Sequence, residues 1–277
     1  MNQPKTWFVT GTSKGIGFML VKELLQAGHN VIATTRQPDT LLDALGGPHE
    51  HLLALPVDLS NEASVISAVQ QAIDRFGRLD IVINNAGYAL LGSLEEVTDE
   101  EFRQSMDINL FGAINVIRAV IPPMRNQNNG HVINISSNAG YVGYGNAGAY
   151  NAAKFALIGV SEALALETQP FGIKVTVVAP GQFRTNFMDK GSMQFAKNRI
   201  AAYELDKAEQ QWGEFSGQQA GDPQKLVTIL MELVNHPAPP LHLLLGPDTY
   251  ELIQTHRQRE KEEFDAWKTV SLSTNFD

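Results

Sequence analysis

The stretch Thr6-Trp7-Phe8-Val9-Thr10-Gly11-Thr12-Ser13-Lys14-Gly15-Ile16-Gly17 decides the fold. A short apolar, β-branched run ends at a glycine turn, and a segment of helical period, Ile16–Ala27, follows at once. Glycines here allow a tight turn, close packing of helix on strand, and close approach of a pyrophosphate to the backbone. The helix start offers unpaired N–H groups and a positive dipole end to that anion. The loop therefore marks Gly11, Ser13, Lys14, Gly15, Ile16 and Gly17 as a candidate phosphate cradle.

Working outward, the same unit recurs. Asn30–Thr34, Leu52–Val57, Leu79–Ile83, His131–Ile135 and Ile173–Ala179 are short and apolar at nearly every position, as parallel strands covered on both faces should be. Leu241–Leu245 reads as a seventh strand. Glu62–Phe76, Glu100–Met124, Tyr150–Glu167 and Pro223–Asn235 carry the 3.6-residue period between them. This alternation predicts an α/β chain with a doubly wound, seven-stranded parallel sheet, a Rossmann fold, in a single domain over 1–277. The polar, Gln-rich stretch 182–221 follows the sixth strand and reads as a mobile helical flap, closed at its far end by Asp222 capping a helix with Pro223 at its first position. Residues 248–277 read as a charged helix and a frayed tail.

Composition narrows the function. A net charge of -9 argues against nucleic acid and against an anionic membrane surface, since both attract clustered Lys and Arg. With no cysteine there is no disulfide framework and no thiolate zinc site. The seven histidines are scattered; even the His49–His51 pair reads as surface or core, so no metal site is expected. No apolar run approaches the ~18–20 residues that span a bilayer, and the run before Gly11 is too short for a signal peptide. The expectation is a cytoplasmic protein that acts on a small molecule.

The glycine loop is spaced G-x-x-x-G-x-G. Further along come Asp58-Leu59, Asn84-Asn85-Ala86-Gly87, Asn109, Ser137, Tyr150-x-x-x-Lys154 and Pro180-Gly181. With these motifs in this order the chain resembles the short-chain dehydrogenase/reductase family, in its classical branch, up to about Pro247. The resemblance implies hydride transfer between a nicotinamide cofactor and a carbonyl or alcohol carbon. It also implies that Asp58 and Leu59 meet the adenine, that Asn85, Ala86 and Gly87 line its ribose, and that Pro180, Gly181 and Thr185 hold the carboxamide. Asn84 is open between that role and tying strands together. A homo-oligomer, dimer or tetramer, is expected.

The end of the second strand discriminates between NAD and NADP. A carboxylate there would bind the ribose 2′-OH and repel a 2′-phosphate. The sequence reads Ala33-Thr34-Thr35-Arg36, with no acid before Asp39. Arg36 offers a planar, permanently charged fork suited to phosphate, with Lys14 on the same side, so NADP(H) is expected.

Carbonyl reduction needs a proton donor at the carbonyl oxygen and a group that stabilises its growing charge. Tyrosine, with a reference pKa of about 10, needs help, and a nearby ammonium lowers that value. Tyr150 and Lys154 stand one helical turn apart on one face. Tyr203 and Lys207 share the spacing but follow no serine strand. Ser137 lies at the end of the fifth strand, where open α/β sheets bind ligands; the family spacing prefers it to Ser136. The resemblance adds Asn109, which would distort its helix and bind a water that passes protons to Lys154. The expected tetrad is thus Asn109, Ser137, Tyr150 and Lys154, and the lysine would also bind the nicotinamide ribose. Phe183 and Phe187, with Met188, Met193, Tyr141, Val142 and Tyr144, suggest an apolar pocket for a hydrophobic ketone, aldehyde or steroid-like alcohol, although such residues serve equally as core. Two other functions fit the fold: an epimerase or dehydratase, and a non-catalytic nucleotide sensor. The first is usually longer and the second typically lacks the Tyr or the Lys.

Overall fold

The computed structural model describes residues 4–189 and 191–276. Its first half runs β1 (Thr6–Thr10), α1 (Gly15–Gln26), β2 (Asn30–Thr35), α2 (Pro38–Leu45), β3 (Leu52–Pro56), α3 (Glu62–Phe76), β4 (Ile81–Asn84) and the short β5 (Ala89–Leu91). Then come α4 (Asp99–Met106), a π-helical turn over Asp107–Phe111, α5 (Gly112–Gln127), β6 (Gly130–Ile135), α6 (Gly148–Thr168) and β7 (Ile173–Pro180). The chain closes with β8 (Met193–Phe195), α7 (Leu205–Phe215), α8 (Pro223–Leu233), β9 (His242–Leu245), α9 (Pro247–Ala266) and α10 (Lys268–Ser271).

Seven strands form one sheet in the order β3-β2-β1-β4-β6-β7-β9, every neighbouring pair parallel. The crossovers must be helical because a parallel neighbour cannot be reached by a hairpin. One apolar cluster packs α1 and α8 against Trp7, Val9, Ile83 and Ile133; the other packs α3 and α5 against Phe8, Val82 and Val132 on the opposite face. Strand residues alternate between the two clusters, so a strand buried on both faces is apolar throughout. The strand order reverses at β1 and β4, and there the carboxyl ends open a crevice.

Several sequence expectations change. Glu100–Met124 is not one helix: α4, the π turn and α5 run on from Asp99 to Gln127, with Pro122 and Pro123 inside α5. The helix α2 has no counterpart in the sequence reading; Pro38 opens it and Gly46, at φ 89°, ends it. The 182–221 segment is only partly helical: its β8 pairs with β5 in a second, two-stranded parallel sheet. Asp222 does cap α8, accepting from the Gln224 N–H at 2.9 Å, with Pro223 at the first position. The charged tail helix is α9, followed by α10 rather than by frayed chain alone. Among the described residues no helix is long and apolar enough to cross a membrane.

Candidate active site

Between β1 and α1 the backbone is held tight. Gly11 has φ +71°, and a Cβ there would fall 2.7 Å from the Ala86 Cα; Gly15 has φ +60°. A Cβ on Gly17 would collide with the Gly11 carbonyl. Thr12 donates its hydroxyl to Thr34 O at 3.1 Å, and Thr10 Oγ1 accepts from the Asn85 and Ala86 N–H groups at 3.0 Å each. Asn85, expected at a ribose, spends its amide on Thr10 O and Gly11 O at 3.0 and 3.1 Å, so it braces the loop. No side chain caps α1, so its first N–H groups are left for an anion as such a site requires. Beside it Ser13, Lys14, Gly15, Arg184, Thr185 and Asn186 line a cleft of about 310 Å³. The bare helix start, the glycine cradle and the two cations fit a dinucleotide diphosphate.

Arg36 stands exposed just past β2, outside that cleft lining, and makes no ion pair among the described residues. Arg184, which the sequence reading missed, joins Lys14 in lining the cleft. Asp58 is exposed and accepts from the Ser60 N–H at 3.0 Å and the Ser60 hydroxyl at 2.6 Å, while Leu59 O accepts from Asn115 at 2.9 Å. Asn84 donates to Asn134 Oδ1 at 2.8 Å, and Asn134 to Ser161, which ties β4, β6 and α6 together. Gly181 donates its N–H to Leu245 O, and a Cβ there would strike Asp248 and Thr249 at the start of α9.

The proposed catalytic groups converge on the ends of β4, β6 and β7. Ser136 points inward, 3% exposed, and donates to Lys154 O at 3.2 Å, which leaves Ser137 as the serine turned to the crevice. Ser137 Oγ accepts from the Ala139 N–H and donates to Asn138 Oδ1, both at 3.2 Å. Asn151, also missed by sequence, holds this loop by donating to Ala139 O and Val142 O at 2.8 Å each. Lys154 is 4% exposed, donates its Nζ to Ile135 O at 2.9 Å, and stands 5.7 Å from the Tyr150 ring centre. A Cβ on Gly87 would lie 3.6 Å from that Nζ and 2.6 Å from Asn109 Oδ1, so only glycine fits between them. Asn109 occupies the π turn; its Oδ1 accepts from the Tyr88 N–H at 2.9 Å, and its Nδ2 donates to Tyr88 O and Ser105 Oγ.

The electrostatics depart from the sequence expectation. Burial pushes the Tyr150 phenol up to about 12, with the Ser137 hydroxyl pulling the other way. The same burial brings the Lys154 ammonium down to about 8. Burial is the main cause at both groups.

Phe187 covers the site, its ring centre 6.4 Å from that of Tyr150. Phe183 does not join it. It packs against the β1–α1–α8 core and bridges to Gly221, because the neck of the insert turns its side chain inward. Tyr203 is on the surface, hydrogen-bonded to Glu95, and Lys207 pairs with Glu204, so that second Tyr–Lys spacing builds no site.

A doubly wound sheet whose glycine loop faces a Tyr–Lys pair across the crevice defines a dinucleotide-dependent oxidoreductase. Residues 5–194 match the family model described as short chain dehydrogenase, and the chain belongs to that family. It is 37% identical to the 3-ketodihydrosphingosine reductase of Bacteroides thetaiotaomicron, over 88% of this chain and 89% of the relative. A solved short-chain dehydrogenase from Streptomyces avermitilis is 34% identical, with TM-score 0.89 over the whole of both chains. ElxO, solved with NADP bound, is 26% identical with TM-score 0.71, covering 88% of this chain and 97% of that one; another structure of this fold, 20% identical, holds NAD.

Proposed function

We propose that this oxidoreductase uses NADP(H) to interconvert a hydrophobic ketone or aldehyde and its alcohol. The observation that carries the reading is the half-buried Tyr150 paired with the buried Lys154 beside Ser137 at the end of β6. The reductase relative from Bacteroides thetaiotaomicron bears a ketone in its name, which supports the same substrate class.

When bound, the nicotinamide supplies or takes up the hydride. Gly11, Ser13, Gly15, Ile16 and Gly17 would hold the diphosphate, with Lys14 beside it. Arg36, with no acid at the end of β2, would take the 2′-phosphate. Asp58 and Leu59 would meet the adenine, Ala86 and Gly87 the ribose, and Pro180, Gly181 and Thr185 the carboxamide. Ser137 donates a hydrogen bond to the carbonyl oxygen and so stabilises charge growing there. Tyr150, kept protonated by its burial, delivers the proton to that oxygen in reduction and takes it back in oxidation. The Lys154 ammonium lies close enough to favour the phenolate once the proton has left, and would also bind the nicotinamide ribose. Asn109 holds Tyr88 and thereby the loop after β4 against Lys154. Large apolar side chains exposed along the end of the chain, Phe264, Trp267 and Leu272, support a homo-oligomer.

A screen of ketones, aldehydes and alcohols with both cofactors tests the reading. Turnover with NADPH of at least one apolar carbonyl, lost in Tyr150→Phe, is the expected result. Turnover retained in that variant, or NADH preferred, would overturn it.

A further inference from the structure

The insert between β7 and α8 bears Phe187 toward Tyr150, and two buried carboxylates hold its far side. Glu96 is fully buried and Glu101 is 7% exposed. Arg199, the nearby cation, is taken up by Asp206 and Glu209. Both carboxylates are used alike, one oxygen serving its own turn and the other reaching the insert. Glu96 Oε2 accepts from the Ser93 N–H and hydroxyl at 3.0 and 2.9 Å; its Oε1 accepts from the Ile200 N–H at 2.8 Å. Glu101 Oε2 accepts from the Thr98 N–H and hydroxyl at 3.0 Å each, and its Oε1 from the Lys197 N–H at 3.0 Å. Burial pushes both carboxyls up, yet the N–H and hydroxyl donors, with the Arg199 charge at Glu96 and the Lys197 charge at Glu101, outweigh it and hold both below their ordinary value.

The two clamps close the β5–β8 pairing, in which the Ala196 N–H donates to Leu91 O at 2.7 Å. Behind it Ala149, immediately before Tyr150, shares an apolar cluster with Leu90, Ala196 and Leu205. At the neck of the insert the Gly221 N–H donates to Gln182 O at 3.0 Å and the Arg184 N–H to Gly221 O at 2.9 Å. The turn over Asn186–Met188, which carries Phe187, is held differently: its hydrogen bonds go to Thr185, Asp189 and Gln219, all within the insert.

We propose that Glu96 and Glu101 are positioning residues that hold the insert as a prebuilt wall of the substrate pocket, leaving the Phe187 turn as its one adjustable part. They act on substrate fit through the backbone they grip and touch no reacting atom. The wall makes the pocket selective before substrate arrives, since a rigid site avoids the ordering cost of binding. This inference rests on the proposed function only for its kinetic consequence; the clamp itself is readable without substrate.

Glu96→Gln and Glu101→Gln test it by amide hydrogen exchange and kinetics. Glutamine has one acceptor oxygen where the carboxylate has two, and its NH2 meets an N–H donor, so each variant loses either the turn that anchors the clamp or the grip on the insert, and the insert is loosened in both cases. Exchange across residues 193–200 should quicken at least about tenfold, with β1 and β6 unchanged. KM for the carbonyl should rise at least about tenfold, with kcat within about twofold and NADPH affinity unaltered. Glu100→Gln, an exposed neighbour that makes no hydrogen bond to the insert, should do none of this. Unchanged exchange in 193–200, faster exchange spread over the whole sheet, or faster local exchange with KM unmoved would each overturn the proposal. If neither variant folds, the wild type decides: the Lys197 and Ile200 amides should be protected like those of β8 while the Asn186–Met188 amides exchange at least about tenfold faster. Equal rates along the insert would refute it. If the wild type reduces no carbonyl, the proposed function fails while the exchange result still judges the clamp.

Discussion

His131 lies on β6, the strand that delivers Ser137, and its environment sets a measurable pH dependence. The ring is 3% exposed, and Nε2 lies 2.9 Å from Thr176 Oγ1. The threonine gives its one hydroxyl proton to Pro240 O at 2.8 Å, so it must accept from the histidine Nε2–H. That leaves Nδ1 buried with no partner, and a proton placed there would be an unpaired cation. Burial, aided by the Lys174 and Lys5 charges, lowers the pKa from 6.5 to about 3. Because the folded value lies below the unfolded one, its stabilising effect is complete above pH 6.5 and is lost as pH falls from there toward 3. Linkage over those two values removes about 2 kcal/mol between pH 7 and pH 5. His131→Gln keeps a donor toward Thr176 but cannot titrate. Urea unfolding of both proteins, at both pH values and one protein concentration, should therefore show the wild type losing about 2 kcal/mol more than the variant. Parallel losses would refute the reasoning, since the carboxylates and the half-buried His29 are common to both proteins and cancel in the comparison.

Arg36→Ala should weaken NADPH binding roughly 10–100-fold and leave NADH nearly unchanged, since a charge-assisted phosphate contact contributes about 1.5–3 kcal/mol. Fluorescence titration with both cofactors checks this, and equal losses for the two would count against the assignment. Tyr150→Phe should abolish turnover with cofactor affinity intact, whereas Tyr203→Phe should be nearly silent in the same assay; a dead Tyr203 variant would mean the active site is misplaced. Lys154 is charged below about pH 8 and neutral above it, so kcat/KM for reduction should fall as pH rises through 8. In Lys154→Arg, whose charge persists, any remaining activity should lack that limb, and an unshifted limb would exclude the lysine as its source.

Much of this protein was legible in its sequence because the relevant signals are local. The strands of the seven-stranded sheet announce themselves within a few residues each, and most of the amphipathic helices within fifteen. The glycine loop and the Tyr150–Lys154 spacing are complete within a single turn or helix. Thr98-x-x-Glu101 was there to be read as a capping box, and Ser93-x-x-Glu96 repeats its pattern over a turn. What each carboxylate does with its second oxygen was not, because Ile200 and Lys197 are about a hundred residues away. The same distance hid β5 and β8, three residues each, whose pairing neither could declare alone. Phe183 and Phe187 are indistinguishable by composition, and only the Gln182–Gly221 neck sends one into the core and leaves the other over Tyr150. The tyrosine itself shows the division best. Its partner lysine follows from helical geometry, but the direction of its pKa follows from how far the packed chain excludes water, which no local spacing displays.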